Sequence, residues 1–148
     1  MGSSLLLLLA LVAGPGTAGA TSVAPVTGHV QSTADAETRT APSGKATVRI
    51  LAGPKHGGAK NAFLAVLELA PGAKVPEHAD ATEEYIYVLE GGGVITVDGV
   101  QHTLVVGDAV YMPANAVVTY TNGADASKIV QVFAGPGPEA KYDAWATK

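Results

Sequence analysis

Short apolar and β-branched runs, each closed by a turn signal, organise the chain from about Thr47 to Ala134. Ala62–Leu69 runs into Pro71-Gly72, and Glu84–Leu89 runs into Gly91-Gly92-Gly93. Val94–Val97 and Val100–Val106 flank Asp98-Gly99, a two-residue hairpin signal. Gly107-Asp108 marks the next turn, then Ala109–Met112 and Val117–Thr121 follow. Asn122-Gly123 reads as another hairpin turn, and Lys128–Ala134 is the last run. No stretch carries the 3.6-residue stripe of an amphipathic helix. Seven or eight strands at this spacing predict an all-β sandwich or barrel. The 18 glycines and 9 prolines fit the same picture of many short elements.

The flanks read differently. Leu5–Ala13 is an unbroken apolar run of nine residues, short of the ~20 that span a bilayer. Gly14-Pro15-Gly16 breaks it, and Ala18-Gly19-Ala20 offers a small-x-small cleavage site. Residues 1–20 therefore read as a secretory signal peptide, although Met1–Ser4 brings no Lys or Arg. A short membrane anchor or a buried helix is the competing reading. Cleavage after Ala20 predicts a secreted protein, periplasmic or extracellular, with no stable membrane span. Residues 21–45, rich in Ala, Thr, Ser and Pro, read as a flexible leader. An extra edge strand around His29–Gln31 is its alternative. The folded domain is expected over 46–135. Gly135-Pro136-Gly137-Pro138 ends it, leaving a tail at 136–148. Tyr142 and Trp145, three apart, suit one helical turn over a barrel end; a frayed terminus is the equal alternative.

Composition narrows the function classes. The chain has 148 residues, room for one domain. Thirteen acids against nine bases give a formal charge of -4, without any basic run, so a nucleic-acid partner is not expected. Cysteine is absent, which excludes disulfides, thiolate metal sites and a cysteine nucleophile. No Gly-rich phosphate loop precedes a helix, and no Gly-x-Ser-x-Gly elbow occurs.

Chemistry concentrates in one segment. Residues 77–84 hold one imidazole, His78, and four carboxylates, Glu77, Asp80, Glu83 and Glu84. His78 and Asp80 share a face on an extended backbone, and Glu84 opens the next strand. One nitrogen and two carboxylate oxygens suit a divalent first-row ion. A solvated acidic loop is the alternative from spacing alone. The remaining histidines read as solvated: His29 in the leader, His56 in a Lys-His-Gly-Gly turn, and His102 on a hairpin strand.

These residues fall on a known pattern. Gly72, His78, Asp80, Glu84 and Gly91 stand at the positions of Gly-x5-His-x-His-x3-Glu-x6-Gly. Gly107, Pro113, Asn115, Val118 and Asn122 stand at those of Gly-x5-Pro-x-Gly-x2-His-x3-Asn, after a 15-residue spacer. In these motifs the chain resembles the cupin family, of the small type 2-like kind, over roughly residues 47–134. The resemblance implies a six- to eight-stranded jelly-roll (double-stranded β-helix) barrel. It also implies a metal held by motif-one histidines, the glutamate and the motif-two histidine. Here His78 and Glu84 match. Asp80 replaces the second histidine and can still ligate; Val118 replaces the third and cannot. Asn115 for Gly is a mild change, because Asn tolerates positive φ. His78-Ala79-Asp80 also matches half of an iron facial triad, but no histidine follows His102, so that chemistry is not expected.

The resulting expectation is a degenerate site: His78, Asp80 and Glu84 holding one divalent metal (Mn, Fe or Zn) weakly. Strand parity adds that Glu84, Ile86 and Val88 should line one cavity with Val118 and Tyr120. Tyr120 is either a polar group of that cavity or a core filler whose hydroxyl is satisfied locally. A largely apolar pocket with a few polar groups suits a small-molecule ligand. Competing readings are a metal-free binding module and a structural homodimer. Catalytic residues and substrate are not assigned.

Overall fold

The structure is a computed structural model and describes residues 28–147. The signal peptide read at 1–20 and the first part of the leader lie outside the described residues. Among them, the strands in chain order are β1 (Glu37–Thr40), β2 (Ala46–Ala52), β3 (Phe63–Leu69), β4 (Lys74–His78), β5 (Glu83–Glu90), β6 (Gly93–Val97), β7 (Val100–Leu104), β8 (Ala109–Met112), β9 (Val118–Asn122), β10 (Ser127–Ala134) and β11 (Ala146–Thr147). They form a seven-stranded sheet, β11-β1-β2-β3-β10-β5-β8, and a four-stranded sheet, β4-β9-β6-β7. The pairings within both are antiparallel. The two inner faces enclose one apolar core, the jelly-roll arrangement that the motifs imply.

Period-two patterning builds this enclosure. Along β10, Ser127, Ile129, Gln131 and Phe133 are buried while Lys128, Val130 and Val132 are only partly so. Along β5, Glu84, Ile86 and Val88 point inward, and Tyr85, Tyr87 and Leu89 face out. Val118, Tyr120 and Asn122 make the buried face of β9. Phe63, Phe133, Leu69, Ile95, Val48 and Val88 are sealed completely. Burial of each such side chain is worth about 1.5–3 kcal/mol relative to exposure.

Turn chemistry fixes the register. Asp98 and Gly99 take φ values of 47° and 81°, the two positive angles that a two-residue hairpin between β6 and β7 requires. Gly91, at φ 71°, passes so close to the Ala126–Ser127 backbone that a Cβ there would lie 2.4 Å from the Ala126 carbonyl oxygen. Asn122-Gly123, by contrast, is not a hairpin turn. β9 pairs with β4 and β6, whereas β10 pairs with β3 and β5, so the connection crosses between sheets. Asn122 is a buried strand residue. Its Nδ2 donates to the Ala70 and Asp125 carbonyls at 2.9 Å, and its Oδ1 accepts from the Tyr120 and Ser127 hydroxyls. These bonds satisfy its polar atoms within the core.

The flanks are more ordered than their composition predicts. Inside the stretch read as a flexible leader, Ser32 caps a 3-10 turn at Thr33–Asp35, and Glu37–Thr40 pairs with β2. The sheet therefore starts before residue 46. The strand is Glu-Thr-Arg-Thr, with no apolar alternation to reveal it; the ladder with β2 and ion pairs supply its stability instead. At the other end, Pro138–Ala144 forms a 3-10 segment and Ala146–Thr147 joins β1, so the tail is docked, not frayed. Tyr142 is buried, 6.0 Å from the Phe63 ring, and Trp145 packs edge-on against Tyr142 at 4.9 Å. Arg39 donates to the Tyr142 carbonyl and pairs with both Glu37 and Asp143. His56, expected to be solvated, is half-buried and holds Glu37 at 2.7 Å. No helix among the described residues is long and apolar enough to cross a membrane.

Two outcomes follow from this docking. Tyr142→Ala is expected to cost about 3–5 kcal/mol in urea unfolding, because it empties an aromatic site in the core. Hydrogen bonds from His56 and then Arg39 hold the Glu37 carboxyl below its ordinary range, and Arg39 and Lys55 do the same for Asp143. Lowered carboxyl pKa values stabilise above the unfolded value, and this contribution is lost as pH falls through the folded one. Emission from Trp145, the one tryptophan in the chain, is therefore expected to shift in acid, below the unfolded Glu value of about 4.3, before far-UV dichroism changes.

Candidate functional site

β4 ends on His78, the loop after it carries Asp80, and β5 opens with Glu83-Glu84. β4 is an edge strand, where Pro76 costs no ladder bond, and its pairing with β9 slips between Val75 and His78. The slip leaves His78 directly opposite Val118. Asp80 is fixed from the other side. Asn115, at φ 64°, donates its backbone N–H to the Asp80 carbonyl at 2.7 Å. The residue that replaces the family glycine thus adopts the same left-handed turn and braces the site.

His78, Asp80 and Glu84 each bring a ligand atom within 4.8 Å of the others. His78 Nδ1 donates to the Pro76 carbonyl at 2.9 Å, since that oxygen can only accept. The Nε2 lone pair is then free on the neutral imidazole, and it lies 3.7 Å from Asp80 Oδ2. Glu84 is buried, and Gln131 Nε2 donates to its Oε1. Burial pushes the Glu84 carboxyl above its ordinary range, against the Gln131 hydrogen bond and the nearby Lys141 charge. Gln131 in turn accepts from the Tyr142 hydroxyl, whose own pKa burial raises. Asp80 Oδ2 also accepts from Lys141 Nζ at 2.6 Å.

These groups sit on the wall of a cavity of about 630 Å³. Ile86, Ile95, Val118, Tyr120 and Ile129 give it apolar walls, and Lys141, Tyr142 and Trp145 from the tail close around the polar side. Of the expected lining residues, Ile86, Val118 and Tyr120 are there and Val88 is not. Val88 shares their inward parity but is fully sealed in the core, its backbone bonded to Gly107 and Asp108. Tyr120 contributes its ring to the cavity while its hydroxyl donates to Asn122, so both readings of it hold in part. His102 is exposed on β7, and His29 is exposed outside the sheets.

Among the polar groups of the cavity, Gln131 and Lys141 are not expected from the sequence, whereas Tyr142 and Trp145 are the pair expected to suit a turn over a barrel end. Gln131 was findable, as a polar residue in the inward series Ile129-Gln131-Phe133. Lys141 left no local signal, because its place depends on how the tail folds back.

The donor set fits a divalent ion on one face: an imidazole nitrogen with a free lone pair and two carboxylates, with water to complete the shell. It lacks a donor at Val118, and Asp80 already accepts a hydrogen bond from Lys141.

Residues 65–133 match the Cupin_2 family, the cupin domain. Residues 65–133 thus form a cupin domain. It is 29% identical over 97 residues to the dimethylsulfoniopropionate lyase DddW of Ruegeria pomeroyi, covering 66% of this chain and 64% of the lyase. The chain thus spans less than two thirds of that relative's length. Its fold is similar to an RmlC-like cupin from Shewanella frigidimarina, with a TM-score of 0.66 at 18% identity over 77% of this chain and 96% of the other. It is also similar to the polyketide cyclase RemF from Streptomyces resistomycificus, with a TM-score of 0.64 at 22% identity over 73% and 80% of the two chains.

The register of His78 and Val118 yields a sharp outcome. Val118→His adds a second imidazole across from the first, and it is expected to tighten Mn²⁺ or Zn²⁺ binding at least tenfold, about 1.4 kcal/mol, in calorimetric titration.

Proposed function

We propose that this cupin binds a small organic molecule in its barrel, beside a weakly held divalent ion on His78, Asp80 and Glu84. The convergence of these three side chains on the wall of a largely apolar cavity carries the reading. A volume of about 630 Å³ suits a metabolite-sized ligand. Apolar walls and one polar side favour a molecule with a hydrocarbon body and a polar end. His78, its Nδ1 tied to Pro76, offers Nε2 toward that end. Buried Glu84 lies on the same polar side, and Gln131 holds it in position. A bound metal would supply Lewis-acid polarisation of a ligand oxygen. The named activities of the lyase from Ruegeria and the cyclase from Streptomyces, both on small organic molecules, support this class of ligand.

Val118 and the Lys141–Asp80 pair favour a second reading, a metal-free pocket that binds an organic ligand with an internal cation already in place. Elemental analysis of the purified protein, followed by Mn²⁺ titration, separates the two. The first reading expects one ion per chain, and a loss of about tenfold or more in affinity for His78→Ala, given that even outer-shell changes cost 10–100-fold. Absence of stoichiometric binding, or equal binding by His78→Ala, would overturn it. Thermal stabilisation by organic ligands in the presence of chelator would then support the second.

A further inference from the structure

Both carboxylates of the site are connected to the C-terminal segment. Asp80 Oδ2 accepts from Lys141 Nζ at 2.6 Å, and the same oxygen is the one 3.7 Å from His78 Nε2. Glu84 is joined through Gln131 to the Tyr142 hydroxyl. Lys141 and Tyr142 are neighbours in one 3-10 segment, Pro138–Ala144. The ammonium lies 4.7 Å from the centre of the Phe133 ring; the Asp80 side chain is only 13% exposed, while the Lys141 side chain is 32% exposed.

An ion bound to His78 Nε2 and Asp80 Oδ2 needs distances of about 2.0–2.2 Å to each. It would have to lie beside the oxygen that Lys141 already holds, and its charge would repel the ammonium. Lys141 has a flexible four-carbon stem and can leave. The rest of the segment is tied down separately, by Arg39 to Asp143 and by the packing of Tyr142 and Trp145.

We propose that Lys141 is a tethered cation that competes with divalent metal for Asp80, so that metal entry expels Lys141 and loosens the packing of the tail over the cavity. The idea rests on the metal reading above. It makes Lys141 the determinant of how weakly the site holds an ion. It also makes closure of the cavity by the tail dependent on whether an ion is bound.

The test is Mn²⁺ titration of the full chain, read by calorimetry and by Trp145 emission, for the parent protein, Lys141→Met and Lys74→Met. Met keeps an unbranched apolar stem of nearly the same length and removes the ammonium that lies over Phe133. Lys74 also borders the cavity but is not bonded to Asp80, so its variant controls for a simple loss of positive charge. Dichroism at equal concentration verifies that each variant folds, and Lys141→Gln serves if Met does not. The expected result is at least tenfold tighter Mn²⁺ binding for Lys141→Met, less than threefold for Lys74→Met, and a Trp145 shift on saturation that is largest in the parent. Equal affinities for the parent and Lys141→Met would overturn the proposal and leave the metal reading standing. Equal gains in both lysine variants would overturn it too, as a general charge effect. No binding by any form would remove the metal reading and this proposal together.

Discussion

A carboxyl group placed inside an apolar barrel must find hydrogen-bond donors or stay protonated, and that demand shapes this molecule. Glu84 is put there by parity, because β5 turns its apolar alternates Ile86 and Val88 to the same side. Its donor is Gln131, which parity turns inward from β10. The amide oxygen of Gln131 then needs a donor of its own, and Tyr142 supplies it from outside the barrel. Each partner is needed because the previous one is buried, and an unpaired member would cost about 1–3 kcal/mol. The docking of the tail is therefore a consequence of the charge in the interior as much as of aromatic packing.

The same line explains why the site is a hybrid. An ion-binding pocket and a self-neutralised pocket place opposite requirements on Asp80. In this chain the aspartate has the His78 imidazole 3.7 Å away on one side and the Lys141 ammonium at 2.6 Å on the other. On the proposed reading, valine at position 118 and the internal cation on Lys141 would both lower the attraction for an ion. The two features reinforce each other, and neither disturbs the barrel, whose stability comes from residues such as Phe63, Leu69 and Phe133.

Much of this was legible from the chain. Strands with apolar alternation, such as Val94–Val97 and Lys128–Ala134, were found to within a residue or two, because burial on one face leaves a two-residue period. The family motifs brought His78, Asp80 and Glu84 to one place before any coordinates. Ile86, Val118 and Tyr120 border the cavity, while Val88, of the same parity, is fully buried, because parity gives a face but no depth along the barrel. Asn-Gly at 122–123 looked like a turn because turns and buried amide networks favour the same residue. Glu37–Thr40 is held by ladder and charge pairs, and Lys141 by a long-range fold-back; neither kind of contact writes a local pattern.

The cavity border includes Ala41 to Ser43 on one side and Lys141 to Trp145 on another, and both stretches lie outside residues 65–133. β1 and β11 stitch these two margins together in one ladder. Part of the wall of the container is thus made from pieces that the shared domain does not include. Two cupins with identical carboxylates would admit differently shaped guests if their outer segments differed, and chemistry and selectivity in such proteins are free to diverge independently.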